Sequence, residues 1–213
     1  MRNVPMSARD VAALVSALLL LPRAGLCMRC CAPGPEVAPS IARLLRYNHL
    51  TRLELWFERV LHAPSVAPVA QALRDAPALS VLAVVHCTVT DQPEDFDPIA
   101  EALVGHPSIR KITLGLTSPT GALAGRLVAA PACPLATLRL LFPLTAAELL
   151  PLCAALPSNT RLIELDITIA REPPAVEVLA AVASNASLRV LKLDGHTSPE
   201  LEQAMSLVAA RAQ

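Results

Sequence analysis

Residues 50–55, LTRLEL, open the stretch LTRLELWFERV (50–60), which holds the only Trp of the chain, Trp56, beside Phe57. Side chains alternate between the two faces of a β-strand. Read as a strand, the stretch sets Leu53, Leu55 and Phe57 on one face and Arg52, Glu54 and Trp56 on the other. One face must be covered, and the other places an indole among charges. What covers the apolar face is found by working outward along the chain.

The spacing L-x-x-L-x-L recurs as LSVLAV from 79, IRKITL from 109, LATLRL from 135, LIELDI from 162 and LRVLKL from 188, with a weaker copy, RAGLCM, from 23. Successive starts lie 27, 29, 30, 26, 27 and 26 residues apart. A fixed period of this length is the signature of a stacked repeat architecture. Each copy follows an apolar pattern of helical spacing: Ile41/Leu44/Leu45, Val69/Leu73, Ile99/Leu103, Leu123/Leu127, Leu152/Leu156 and Leu179/Val182. Before the weak copy stands VAALVSALLLL (11–21), with Leu14 and Leu18 in the corresponding places.

Prolines mark the unit boundaries. Pro68, Pro98 and Pro174 fall near expected helix starts, where a missing N–H costs little, and Pro22, Pro77, Pro107 and Pro134 fall just before expected strands. Pro151, inside TAAELLPLCAAL, implies a late helix start or a kink. The last segment, SPELEQAMSLVAARAQ (198–213), reads as a more polar capping helix.

Strand plus helix at a period of 26–30 residues resembles the leucine-rich repeat, and the full helix per unit resembles the ribonuclease-inhibitor-like class. The resemblance implies a single α/β solenoid over residues 1–213, with about seven strand-helix units in 10–197, a parallel sheet on the concave side and helices on the convex side. The family pattern continues to an Asn or Cys three residues after the third leucine. Here that place holds Cys31, Glu58, Cys87, Thr117, Pro143, Ala170 and His196, so only Cys31 and Cys87 conform.

Within this frame the residues between the leucines face the concave solvent. They include Arg52, Glu54 and Trp56; Val81, Ala83 and Val85; Lys111 and Thr113; Thr137, Arg139 and Leu141; Glu164, Asp166 and Thr168; and Val190, Lys192 and Asp194. Aromatic and Arg side chains beside apolar ones suit a protein contact. Glu164 and Asp166, two apart on one strand with Arg139 and Lys192 on the flanking strands, form an alternating-charge ladder that suits partner register better than acid-base catalysis. Arg52, Glu54, Trp56, Lys111, Arg139, Glu164, Asp166 and Lys192 are therefore the expected partner-binding residues.

The composition excludes several classes. At 54% apolar and 17% charged residues, with zero formal net charge, the chain is globular and lacks the basic surface that nucleic acid or an anionic membrane attracts. No phosphate-cradling glycine loop, G-x-S-x-G or H-E-x-x-H occurs, so neither catalysis nor a cofactor is expected. Cys27, Cys30 and Cys31, with His86 and Cys87, raise a zinc site, but two strand spacings separate the groups by about 10 Å. The six cysteines read as free thiols of the cytoplasm. The five histidines read mainly as solvated turn residues, and the Asn185-Ala186-Ser187 sequon is discounted. VAALVSALLLL is shorter than the about 20 residues of a membrane span. It is read as the first repeat's helix, apolar nearly all round, and is expected to pack against another surface, either a second copy of the chain or a missing segment.

A non-enzymatic module that binds a protein through its concave face is the expected function. A regulator of a small GTPase or a hydrolase, and a secreted recognition protein cleaved near residue 25, are the alternatives.

Overall fold

The computed structural model describes residues 8–20, 24–30, 38–46, 50–57, 63–87, 97–116, 120–170, 174–195 and 198–212. Helices and strands alternate throughout: α1 (Ala8–Leu18), β1 (Ala24–Cys30), α2 (Ala38–Leu45), β2 (Leu50–Phe57), α3 (Ala63–Arg74), β3 (Val81–Cys87), α4 (Asp97–Val104), β4 (Lys111–Leu116), α5 (Thr120–Ala129), β5 (Thr137–Leu144), α6 (Ala146–Ala155), β6 (Glu164–Ile169), α7 (Ala175–Ser184), β7 (Val190–Gly195) and α8 (Pro199–Arg211). This is an α/β repeat of the leucine-rich kind, and each of the seven motif copies contains or opens a strand. The chain divides into two compact units, Met1–Ile109 with Leu116–Ser118, and Arg110–Gly115 with Pro119–Gln213.

In the first unit β1, β2 and β3 pair in parallel and in chain order, with Leu26 opposite Leu53 and Leu53 opposite Leu82. The motif leucines thus stack in rows. Leu53, Leu55, Leu82 and Val84 turn into a core completed by Ile41, Leu44 and Leu45 of α2, Val69 and Leu73 of α3 and Ile99 and Leu103 of α4. Burying each such side chain fully contributes about 1.5–3 kcal/mol, so the rows drive the stacking. Pro68 lies inside α3 rather than near its start. Val85 and Ala83 on β3, expected at the solvent, are buried. In register Val85 stands opposite Trp56 of β2, and the short Ala83 beside the longer Glu54.

The second unit repeats the scheme. Leu138, Leu165 and Leu191 face one another across β5, β6 and β7, as do Leu140, Ile167 and Leu193, and Lys111–Leu114 of β4 pairs with Thr137–Leu140. Val178 rather than Leu179 is the buried partner of Val182 in α7. Helix α6 starts at Ala146, not late, because Thr145 and Glu148 close a capping box before it. The Thr145 N–H donates to Glu148 Oε2 at 2.9 Å, and Thr145 Oγ1 accepts from the Glu148 N–H at 3.4 Å. Pro151 is accommodated within that helix, against Gly125 of α5: a Cβ there would stand 2.8 Å from the Pro151 carbonyl carbon. Gly121, one turn earlier, meets the Glu148 carbonyl even more closely. Glycine at these two places lets α5 and α6 approach backbone to backbone. Gly195 closes β7 at φ 110°, a left-handed conformation that a side chain disfavours.

A second set of ties lies where each helix hands over to the next strand. Asn159 and Asn185, both three residues before a motif's first leucine, use both the oxygen and the nitrogen of the amide. Asn185 Nδ2 donates to the Leu156 and Asn159 carbonyls, each at 2.7 Å, while its Oδ1 accepts from the Ser187 and Leu188 N–H groups at 3.0 and 2.7 Å. Asn159 does likewise with Val128, Arg161 and Leu162. Asn185 is 1% exposed, so the sequon is a structural amide with no free nitrogen. Arg211 of α8 closes the series by donating to the Val182, Ala183 and Asn185 carbonyls at the end of α7.

His106 holds the same place before Ile109 and is 1% exposed, which corrects its expected role as a solvated turn residue. Its Nδ1 accepts the Ser108 N–H at 3.3 Å, and Nε2 faces the Leu73 and Ala76 carbonyls without a well-formed bond. The ring substitutes for an Asn amide and fits less well. Burial holds its pKa below the ordinary 6.5, opposed by those two carbonyls.

Two outcomes follow for stability. Gly121→Ala destabilises by about 1–3 kcal/mol in urea unfolding, although Ala ordinarily favours a helix. Gly105→Ala, whose new Cβ would meet Glu101 O at an ordinary 3.6 Å, changes it by less than about 0.5 kcal/mol. Because the folded His106 resists protonation, its stabilising contribution is complete above pH 6.5 and declines as pH falls below that value. The difference in stability between wild type and His106→Asn, measured by denaturation from pH 7.5 to pH 5, tracks that decline at about 1.4 kcal/mol per pH unit or less.

Candidate functional site

Solvent-facing positions alternate with the leucine rows, so parallel register lines them up across strands. In the second unit Thr137, Glu164 and Val190 form one row, and Arg139, Asp166 and Lys192 the next, with Lys111 of β4 opposite Thr137. This places five of the expected residues together. Arg139 Nη2 lies 2.8 Å from Glu164 Oε1, Arg139 Nε 3.7 Å from Asp166 Oδ2, and Lys192 Nζ 3.6 Å from Glu164 Oε1. Glu164 is the hub, contacted by a cation from each flanking strand.

The electrostatics agree with that geometry. Hydrogen bonding to Arg139 holds the Glu164 carboxyl below its ordinary pKa, against the opposing effect of burial and with the further help of the charges on Arg139, Lys192 and Lys111. Reciprocally, the bond to Glu164 raises the pKa of Arg139. Both side chains are partly solvated, at 33% exposure for Arg139 and 22% for Glu164, so the pair is worth at most about 1 kcal/mol. The arrangement fixes charge positions on an open face.

In the first unit Arg52 and Glu54 pair along one strand, Arg52 Nε donating to Glu54 Oε1 at 2.7 Å. Trp56 stands opposite Arg29 on β1 and Val85 on β3; its side chain lies outside the described residues. In the second unit, Leu141 and Val190, at 40% and 38% exposure, are large apolar side chains expected at the solvent that stay open.

Of the cysteines raised for zinc, Cys27 is exposed and in no disulfide, whereas the side chains of Cys30 and Cys87, and Cys31 altogether, lie outside the described residues. Among the described residues no group of three His, Cys, Asp or Glu is placed to hold a metal ion, and no helix is long and apolar enough to cross a membrane. Burial pushes the Cys153 thiol up to about 11, reinforced by the charge on Glu177, and raises Cys133 as well. Neither forms a thiolate near neutral pH. Sequence reading missed the junction residues Asn159, Asn185 and His106. Extending the repeat alignment three residues ahead of each first leucine would have brought them into one column.

Neither a family model nor a curated protein matches the sequence. Among solved structures the chain is similar to the tropomodulin C-terminal domain of Caenorhabditis elegans, at 14% identity over 82% of this chain and 92% of that one, with a TM-score of 0.44. It is also similar to leiomodin-1 actin-binding site 2, at 14% identity over 85% of this chain and 91% of that one, with a TM-score of 0.45.

Replacing Glu164 with Gln removes the hub charge. Because the folded Glu164 pKa is depressed, its contribution is present above about pH 4.5 and is lost as pH falls further. Urea unfolding therefore shows Glu164→Gln less stable than wild type by up to about 1 kcal/mol at pH 7, with the two curves converging toward pH 3.

Proposed function

We propose that the chain is a non-enzymatic protein-interaction module of the cytoplasm, of the ribonuclease-inhibitor-like repeat class, that binds its partner on the solvent face of its strands. The carrying observation is the Arg139, Glu164, Asp166 and Lys192 network, which sets cations and anions in fixed columns on an open β-face. Such a surface selects a partner by charge register, since a shift of one strand sets like charges opposite one another. Lys111 extends the cationic side, and Leu141 supplies apolar area. In the first unit Arg52, Glu54 and Trp56 occupy the corresponding face and serve as a second contact region. The buried Asn185 amide speaks against a secreted glycoprotein.

The N-terminal helix is the surface proposed for self-association. Val15 is buried, and the outward side chains include Arg9, Asp10 and Ser16 beside Ala12, Ala13 and Ala17. Among the described residues, Leu20, at 85% exposure, is the most exposed large apolar side chain that a second copy would cover.

Affinity capture followed by mass spectrometry, with wild type, Trp56→Ala and the double charge reversal Arg139→Glu with Lys192→Glu, tests the proposal. Proteins retained by wild type are depleted about tenfold by the double reversal and weakened by Trp56→Ala, while circular dichroism stays unchanged. An identical set retained by all three folded proteins would show that this face is not the binding surface.

A further inference from the structure

An open groove of about 430 Å³ lies at the strand-start edge of the second unit, lined by Thr160, Arg161, Ile163, Ala186, Ser187 and Arg189. None of its side chains belongs to the charge network on the β-face. Its two arginines are held in place by backbone. Arg161 Nη1 donates to the Pro131 carbonyl and, at 3.1 Å, to that of Cys133. Arg189 Nη1 donates to the Ala186 and Leu188 carbonyls at 2.7 and 3.1 Å. These bonds occupy one nitrogen of each guanidinium. The Nε and Nη2 of both, the edge that takes a carboxylate side-on through two parallel bonds, have no partner among the described residues.

Among the described residues no acid pairs with either arginine. Residues 130–137, 155–163 and 183–190, which run along this edge, contain these two arginines and neither Asp nor Glu. The adjacent Glu164 is engaged by Arg139 and Lys192 on the β-face. Between the arginines the floor is apolar: Ile163 is 49% exposed and Ala186 is exposed beside it. Two anchored cations flanking an uncovered aliphatic side chain complement two carboxylates flanking an apolar one.

We propose that this groove binds an acidic, extended segment of a partner protein, with carboxylates paired side-on to Arg161 and Arg189 and an apolar side chain between them over Ile163. A polypeptide fits better than a phosphate ligand or nucleic acid. A phosphate would leave Ile163 uncovered, and no aromatic lines the groove to stack a base. The inference is independent of the β-face reading, since it uses different residues and a different edge.

The test is fluorescence anisotropy of the full chain with a dye-labelled peptide of Glu-Leu-Glu pattern, at about 50 mM salt, where screening of exposed charges is moderate. Saturable binding is expected, weakened about tenfold or more by Arg189→Gln, which removes one side-on pair and leaves distant backbone contacts intact. Ile163→Ser, and a peptide with Ser in place of Leu, weaken it about threefold or more. Trp56→Ala leaves it unchanged, which separates this site from the β-face. Thermal melts establish that each variant is folded. The proposal is overturned by absence of saturable binding, by equal binding to folded Arg189→Gln, or by displacement of the peptide by inorganic phosphate or an oligonucleotide with no sensitivity to the Leu and Ile163 changes. That last result would assign the groove to phosphate-bearing ligands instead.

Discussion

A strand-helix unit of thirty residues or fewer cannot bury its own leucines. Leu53 and Leu82, or Leu138 and Leu165, become dry only because neighbouring strands run parallel in register and bring each row together. Every other feature depends on that constraint. It aligns the solvent-facing residues between the leucines, so side chains about 27 positions apart in sequence, such as Arg139 and Asp166, become neighbours. It also requires a return path of nearly constant length, which the helices provide.

The return path creates a secondary demand. Each helix ends with carbonyls that the helix itself cannot satisfy, at a junction crowded by the next repeat. The second unit meets this with reaching side chains: Asn159 to Val128, Asn185 to Leu156 and Arg211 to Val182. These bonds are structural, and they explain buried polar groups in a leucine-built core. His106 is the imperfect member, because an imidazole cannot both accept from two N–H groups and donate to two carbonyls as an amide can.

The contacts between helices are more individual. Gly121 and Gly125 have no counterpart required by the repeat. They allow α6, with Pro151 inside it, to lie against α5 at backbone distance. The same local adjustment explains why a proline in the middle of TAAELLPLCAAL neither delays the helix nor ends it. A capping box at Thr145 and Glu148 secures the start before the proline is reached.

By itself the sequence determined the repeat, its period, the seven strands and the order in which they alternate with helices, because burial of leucines at fixed spacing is a local, periodic signal. It also determined which side chains share a face, so the Arg139, Glu164, Asp166 and Lys192 ladder was legible once the strands were aligned. Only the tertiary structure decided that Val85 and Ala83 are buried, since their exposure depends on neighbours one repeat away and not on alternation. It alone decided that Asn185 and His106 face the interior, because a polar residue in a turn is read as solvated until the carbonyls it must satisfy are known. And it alone brought Arg161 and Arg189 to one groove with their side-on edges unpartnered among the described residues, a matter of which backbone oxygens each guanidinium reaches.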